Sequence, residues 1–218
     1  MFSIFQRRRH HLRDLIPDGM DRHCHLLWGV DDGASTPRES QAMINRLKAC
    51  GFKGAWCTPH VMTTLPGNTA QALRNRYTEA LELLNLDGFN LLLAAEYMMD
   101  EQFLRRHLPD ELLTYDGKRL LVEFPQIALP LNWRETLFEI QSRGYIPVLA
   151  HPERYCSILS LSRLEHLYGN GVEFQLDIPA LRGFWGATVR KRARFLLDHQ
   201  FYSWAGTDAH HEEGIEQA

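Results

Sequence analysis

Short apolar and β-branched runs alternate along the chain with stretches of helical spacing. The runs at residues 54–58, 91–95, 120–124, 146–150, 172–176 and 202–205 read as buried strands, and the stretch 20–27 supplies a first one. Between them, apolar residues recur at helical intervals: Ala42, Met43, Leu47 and Cys50 before Gly51; Leu73, Tyr77, Ala80, Leu81 and Leu84; Trp133, Leu137 and Ile140 before Gly144. The glycines stand where a helix would stop. Segments 161–167 and 187–199 continue the alternation with more polar surface. Strand alternating with helix predicts parallel strands joined by crossover helices, hence an α/β fold. Seven such units fall one short of the usual eight-stranded barrel.

In parallel barrels the catalytic groups come from the carboxyl ends of several strands, where the loops converge on one mouth. Here each predicted strand ends on, or just before, a residue able to bind a metal. The endings are His23 and His25, then His60, Glu96, Glu123, His151, the weaker polar pair Gln175 and Asp177, and finally Asp208 with His210. His23 and His25 are two apart, so on a strand both rings face the same side and can grip one cation. Asp31-Asp32-Gly33 follows in a loop where a carboxylate can turn back toward the mouth, although Asp and Gly also form turns for purely local reasons. Glu96 and Glu123 come directly after apolar runs, where an unpaired charge is costly. Ala150-His151-Pro152-Glu153-Arg154 adds a guanidinium, whose planar fork suits a phosphate. A core histidine or a salt bridge explains any one of these positions as well as a metal does; their joint placement favours one metal site.

Composition sets the outer limits. With 218 residues and a 44% hydrophobic fraction the chain can bury a full core, and 1–218 reads as one domain with residues 1–17 as an amino-terminal extension. A net charge of -3 gives no pull toward nucleic acid. No run reaches the roughly 18 apolar residues of a membrane span. The basic cluster Arg7, Arg8 and Arg9 reads as a solvated helix face, with contact to an anionic membrane or partner as the alternative, and it lacks the apolar stretch of a secretory signal. Cys24, Cys50, Cys57 and Cys156 form no CxxC pair, which fits a reduced, cytoplasmic protein. None of the four has an arginine six positions on, which excludes the C-x5-R loop of cysteine-dependent tyrosine phosphatases. Cys24, between the two histidines, is expected to face away from them and pack as a small apolar residue.

Asp21-x-His23-x-His25, Asp31-Asp32-Gly33, Thr58-Pro59-His60, Glu123-Phe124-Pro125, Ala150 to Arg154 and Asp208-Ala209-His210 together resemble the polymerase and histidinol phosphatase (PHP) superfamily, and within it the bacterial tyrosine-protein phosphatases of the CpsB/YwqE type. That resemblance implies a distorted (β/α)7 barrel holding three divalent ions, manganese with iron, zinc or magnesium as the other fits. It implies that His23, His25, Glu96 and Asp208 hold one ion, that Glu96 bridges to a second also bound by Glu123 and His151, and that Asp32, His60 and His210 hold the third. Arg154 would bind phosphate, and Gln175 with Asp177 would shape the mouth. The implied substrate is a phosphotyrosine protein, a bacterial tyrosine autokinase of capsular or exopolysaccharide synthesis. A phosphatase for a small phosphomonoester such as histidinol phosphate, a phosphodiesterase, and a kinase-binding scaffold without turnover are the competing readings. Two departures stand out: Arg22 where relatives are usually apolar, and no arginine-containing segment after Asp208-Ala209-His210.

Overall fold

The computed structural model of the chain describes residues 12–108 and 111–216, so the basic cluster at Arg7 to Arg9 lies outside the described residues. A short helix α1 (Leu12–Leu15) leads into β1 (Met20–Cys24), α2 (Pro37–Ala49), β2 (Gly54–Cys57) and β3 (His60–Val61). Then come α3 (Ala70–Leu83), β4 (Asn90–Leu93), β5 (Glu96–Met98), α4 (Phe103–Arg106), β6 (Arg119–Glu123) and α5 (Trp133–Ser142). The remainder is β7 (Ile146–Ala150), a 3₁₀ turn at Pro152–Arg154, α6 (Leu161–Gly169), β8 (Glu173–Asp177), α7 (Ile178–Arg182), α8 (Ala187–Asp198), β9 (Tyr202–Gly206) and α9 (Glu212–Glu216).

Helix starts follow local chemistry. Thr36 caps α2 by accepting from Glu39 N (3.3 Å), Pro37 occupies the first turn where no N–H is needed, and Glu39 reaches back to Ser35 N (2.8 Å). Thr69 and Ser160 cap α3 and α6 in the same way. The apolar faces differ slightly from the expected ones. In α2 the buried positions are Ser40, Met43, Ile44 and Leu47, while Cys50 is the exposed carboxyl-terminal cap. In α3, Leu81 points outward.

All strand pairings among the described residues are parallel, in two sheets of order β1-β2-β4 and β3-β5-β6-β7-β8-β9. The seven expected strands become nine because two of them break and change sheet, at Thr58-Pro59 and at Ala94-Ala95. Pro59 has no N–H to continue a ladder. Hydrogen bonds run across both breaks, Ala94 N to Cys57 O (2.9 Å) and Glu96 N to Pro59 O (3.1 Å). At the far edge Asp208 N donates to His23 O (2.8 Å) and His25 N to Ala209 O (2.9 Å). Asp21 reinforces that seam: buried, it accepts from Thr207 N (2.9 Å) and from the Thr207 hydroxyl (2.6 Å).

Strand alternation sorts the side chains. In β6, Leu120 and Val122 enter the main core beneath the outer helices, while Leu121 joins Ala94, Val148 and Ala150 in a separate group with Trp56, Tyr115 and Trp204. Glu123 shares the face of Leu121. In β1, Cys24 packs with Ile44, Leu47 and Cys57, away from His23, as its position between two histidines predicts.

Candidate metal centre

The side chains that share the inward face at the strands' carboxyl ends meet at one point. His23 and His25 bring their Nε2 atoms to 3.1 Å of each other. Each ring is held from behind. Gln175 donates its amide nitrogen to Leu176 O (3.1 Å), which turns its Oε1 to His23 Nδ1 at 2.8 Å. Nδ1 therefore carries the proton, and the lone pair of Nε2 faces inward. Asp31 Oδ2 does the same for His25 Nδ1 at 2.8 Å, and it also accepts from His60 N at 3.0 Å.

Carboxylates complete the arrangement. Asp208 Oδ1 lies 3.1 Å from His23 Nε2 and 3.2 Å from His25 Nε2; Glu96 Oε2 lies 3.2 and 3.6 Å from the same atoms. Glu96 Oε2 is also 3.0 Å from His60 Nδ1, and Glu123 Oε1 is 3.1 Å from that nitrogen. His151 Nε2 sits 3.1 Å from Glu96 Oε1 and 3.9 Å from Glu123 Oε2. On the solvent side, Asp32 Oδ1 is 3.5 Å from His60 Nε2 and 3.3 Å from His210 Nε2, and the His25 and His210 rings stack with centroids 3.9 Å apart. Three groups thus have ligand atoms close enough to share an ion: His23, His25, Glu96 and Asp208; His60, Glu96 and Glu123; and His25, Asp32, His60 and His210. The structure brings all nine candidate ligands to one end of the strands, and Arg154 Nη1 donates to Asp208 Oδ2 beside them.

The residues present fit a metal. Glu96 Oε2, Glu123 Oε1 and Asp208 Oδ1 are buried and receive no hydrogen bond, although imidazole nitrogens lie within 3.6 Å of them. Buried anionic oxygens without donors are costly unless a cation faces them. The site's need for positive charge also appears in its titration. Burial works against charging His23 and His60, yet the surrounding carboxylates, Glu96 foremost, outweigh it and lift them to about 10 and about 12. His151 goes the other way, to about 4, through burial and the neighbouring Arg154. Mixed imidazole and carboxylate donors suit manganese, iron or zinc rather than calcium.

Backbone geometry supports the cluster. Among the described residues four non-glycines have left-handed φ, and two of them are ligand candidates, His151 at φ 36° and Asp208 at φ 49°. Strain of this kind, on the order of 1–3 kcal/mol each, persists where the surroundings dictate side-chain direction. Gly33 and Gly206 permit close approach. A Cβ on Gly33 would meet His25 O at 2.0 Å, and one on Gly206 would meet His23 Cβ at 2.5 Å.

The sequence offers Asp31 and Asp32 in one turn and points to Asp32 as the ligand; that Asp31 fixes His25 follows only from the path of the loop. Gln175 and Asp177 are expected at the mouth. Gln175 is instead fully buried behind His23, while Asp177 accepts from the indole N–H of Trp185, a residue the pattern did not single out. Glu153 turns away from the centre to accept from Asp177 N and the Tyr202 hydroxyl, both at 2.8 Å. Cys24 and Cys57 are buried, and burial pushes both thiols up.

Comparison with known proteins places this geometry. The family model described as capsular polysaccharide synthesis, CpsB/CapC, matches residues 19–216. The tyrosine-protein phosphatase YwqE of Bacillus subtilis (strain 168) is 29% identical over 204 residues, 88% of this chain and 77% of that one. CapC of Staphylococcus aureus is 28% identical over 196 residues, covering 88% and 76%. A solved structure from the pair YwqE of Bacillus subtilis and CpsB of Streptococcus pneumoniae, described as metal-dependent tyrosine phosphatases, superposes with a TM-score of 0.77 at 25% identity, covering 90% of this chain and 81% of that one.

Proposed function

Because the chain belongs to the CpsB/CapC family of capsular polysaccharide synthesis, we propose that it is a metal-dependent tyrosine-protein phosphatase acting on a phosphotyrosine protein. The observation that carries this reading is the set of buried, donor-less oxygens of Glu96, Glu123 and Asp208 facing imidazole nitrogens beside a phosphate-suited arginine. Three divalent ions, manganese foremost, would be held by His23, His25, Glu96 and Asp208, by Glu96, Glu123 and His151, and by Asp32, His60 and His210. The ligand atoms that converge differ from this in placing His60 rather than His151 with Glu96 and Glu123, and His25 with the last group. His60, with one nitrogen toward Glu96 and Glu123 and the other toward Asp32, stands between the last two. The two sheets, joined across their breaks and at the β1–β9 seam, act as one distorted seven-unit barrel, and the chain as a single domain.

Closely spaced divalent ions, when bound, lower the pKa of a water and offset charge on phosphate oxygens. The protein's own groups do the rest. Gln175 and Asp31 hold the tautomers of His23 and His25, keeping both Nε2 lone pairs available. Arg154, fixed through Asp208, offers its guanidinium to a non-bridging phosphate oxygen. The leaving group of a tyrosine phosphate is a phenol of pKa about 10, which departs with less proton assistance than an alkanol would need.

The substrate in the cell is a bacterial tyrosine autokinase of polysaccharide export, met in the cytoplasm; among the described residues no helix is long and apolar enough to cross a membrane. Elemental analysis combined with phosphate release from phosphotyrosine, phosphoserine and histidinol phosphate, each with and without chelator, tests the reading. Phosphotyrosine turnover that survives complete removal of metal would overturn it, as would a much higher specificity constant for histidinol phosphate.

A further inference from the structure

On the rim of the metal centre one loop leaves its large side chains in water. Gly183-Phe184-Trp185-Gly186, between α7 and α8, turns sharply with φ of 92° and 90° at its two glycines and leaves Phe184 54% and Trp185 42% exposed. The pair is nonetheless ordered by contacts. Its rings meet edge to face with centroids 4.9 Å apart, the indole N–H is taken by Asp177, and the Arg154 guanidinium carbon lies 4.2 Å from the Trp185 ring centroid. Together they line a cavity of about 350 Å³ whose other walls include Arg154, Asp208 and His210. A pocket of this size, apolar on one side and carrying on the other the Arg154 guanidinium and the imidazoles of His210 and His211 among the carboxylates of Asp208 and Glu213, suits a small ligand with both an apolar and a polar end.

We infer that Phe184 and Trp185 form the wall that takes the aromatic ring of an aryl phosphate, so that the site selects phosphotyrosine over phosphoserine. This rests on the phosphatase reading above and deepens it. In an aryl ester a ring carbon is bonded to the bridging oxygen itself, so a phosphate held by Arg154 places the ring directly beside that arginine. The aromatic pair is what stands there. An alkyl ester presents a methylene at the same point and gives the wall little to touch, whereas ring against ring adds a specific edge or offset contact to apolar burial. Holding Arg154 accounts for Trp185 alone; it leaves the more exposed Phe184 without a role, and the ring supplies one.

The test uses the metal-loaded protein and two readouts. Calorimetry gives the affinities of phenylphosphonate and methylphosphonate, which are not hydrolysed, for the wild type, Phe184→Ala and Phe184→Tyr. Steady-state kinetics gives kcat/KM for phosphotyrosine and phosphoserine peptides of one sequence. The wild type is expected to prefer the phenyl compound, Phe184→Ala to shrink both the phenyl-to-methyl and the phosphotyrosine-to-phosphoserine ratios roughly tenfold, and Phe184→Tyr to keep both. Unchanged ratios in a Phe184→Ala protein of native metal content would overturn the wall. So would a loss seen with peptides but not with phosphonates, since Phe184 would then be touching a flanking peptide residue. A wild type that shows the phenyl preference yet releases no phosphate would overturn only the phosphatase reading.

Discussion

The two ends of the same strands handle buried polarity in opposite ways. Toward the amino-terminal end, Arg119 and Glu173, the first residues of β6 and β8, pair through Arg119 Nε at 3.0 and 3.1 Å, and the Trp204 indole donates to the same carboxylate. Tyr115 stacks on Trp204 and meets Trp56 edge to face, and the Arg22 guanidinium lies over Trp204 at 4.6 Å. The buried atoms left unpartnered there are N–H groups, on Trp56 and Arg22. At the carboxyl end they include carboxylate oxygens and imidazole nitrogens that converge on shared points. Lone N–H groups point at different places and lower stability a little; converging anionic oxygens define a position for a cation. One end closes the structure and the other is left incomplete by the chain itself.

The strongest way to break that contrast is Glu96→Gln, since Glu96 belongs to two of the three ligand groups. Elemental analysis should show lost metal, and chelator-sensitive turnover should fall roughly 10³-fold or more. Without the Glu96 charge His23 and His60 lose the main cause of their protonation, so the metal-free variant exchanges a buried ion pair for neutral groups and should unfold within a few degrees of the metal-free wild type. A variant that keeps its metal and turnover would remove Glu96 from the centre. Trp204→Ala should give the reverse pattern. Losing this half-buried ring and its stacking partners should cost about 3 kcal/mol of stability in denaturant titrations, with turnover per bound metal within about twofold of the wild type. Large losses of turnover without loss of stability would show that the two ends are not separable.

The carboxyl end was the more legible in the sequence, and the reason is geometric. A residue at a strand end needs only the period-two rule and a boundary to be placed, and that carries His23, His25, Glu96, Glu123, His151 and Asp208 to one mouth, with Arg154 following three residues after His151. What the rule cannot supply is anything set by loop direction or by the register between distant strands. Asp31 and Asp32 are equal candidates in one turn, and only the path of the loop points the first to His25 and the second to His210. Gln175 reaches His23 across 152 positions of chain. The break at Pro59 carries a visible cause, whereas Ala94-Ala95 carries none, which is why one barrel was expected where two sheets are found. Short helices such as α4, α7 and α9 are too brief for periodicity to register.

Gln175→Leu probes the contrast more gently. Without the Oε1 acceptor, His23 loses both the tautomer and the ring orientation that turn its Nε2 lone pair inward. Metal titration should show affinity weakened about 10- to 100-fold while the fold is kept. Unaltered affinity would mean that Asp208 and Glu96 orient His23 without help.

Acidification should separate the two ends by pH. At the metal end, protons compete with ions for His23 and His60, whose protonation the surrounding carboxylates favour, so metal release and loss of turnover should come first, well above the carboxylate range. At the other end the relevant group is Asp116. Burial would raise its carboxyl, but hydrogen bonds from the Arg119 backbone and side chain and from Lys118 N outweigh this and hold it below the usual carboxylate range. A depressed folded value means the stabilisation is complete above the unfolded value of about 3.9 and is lost as pH falls through the folded one. Asp116→Asn should therefore flatten only the part of the stability curve below about pH 4, by a few tenths of a kcal/mol, because the side chain is 43% exposed and water screens the pair. It should leave the metal-release midpoint where it was. A midpoint that moved with Asp116 would mean that protonation at one end of the strands is felt at the other, and the division of labour between closure and chemistry would fail.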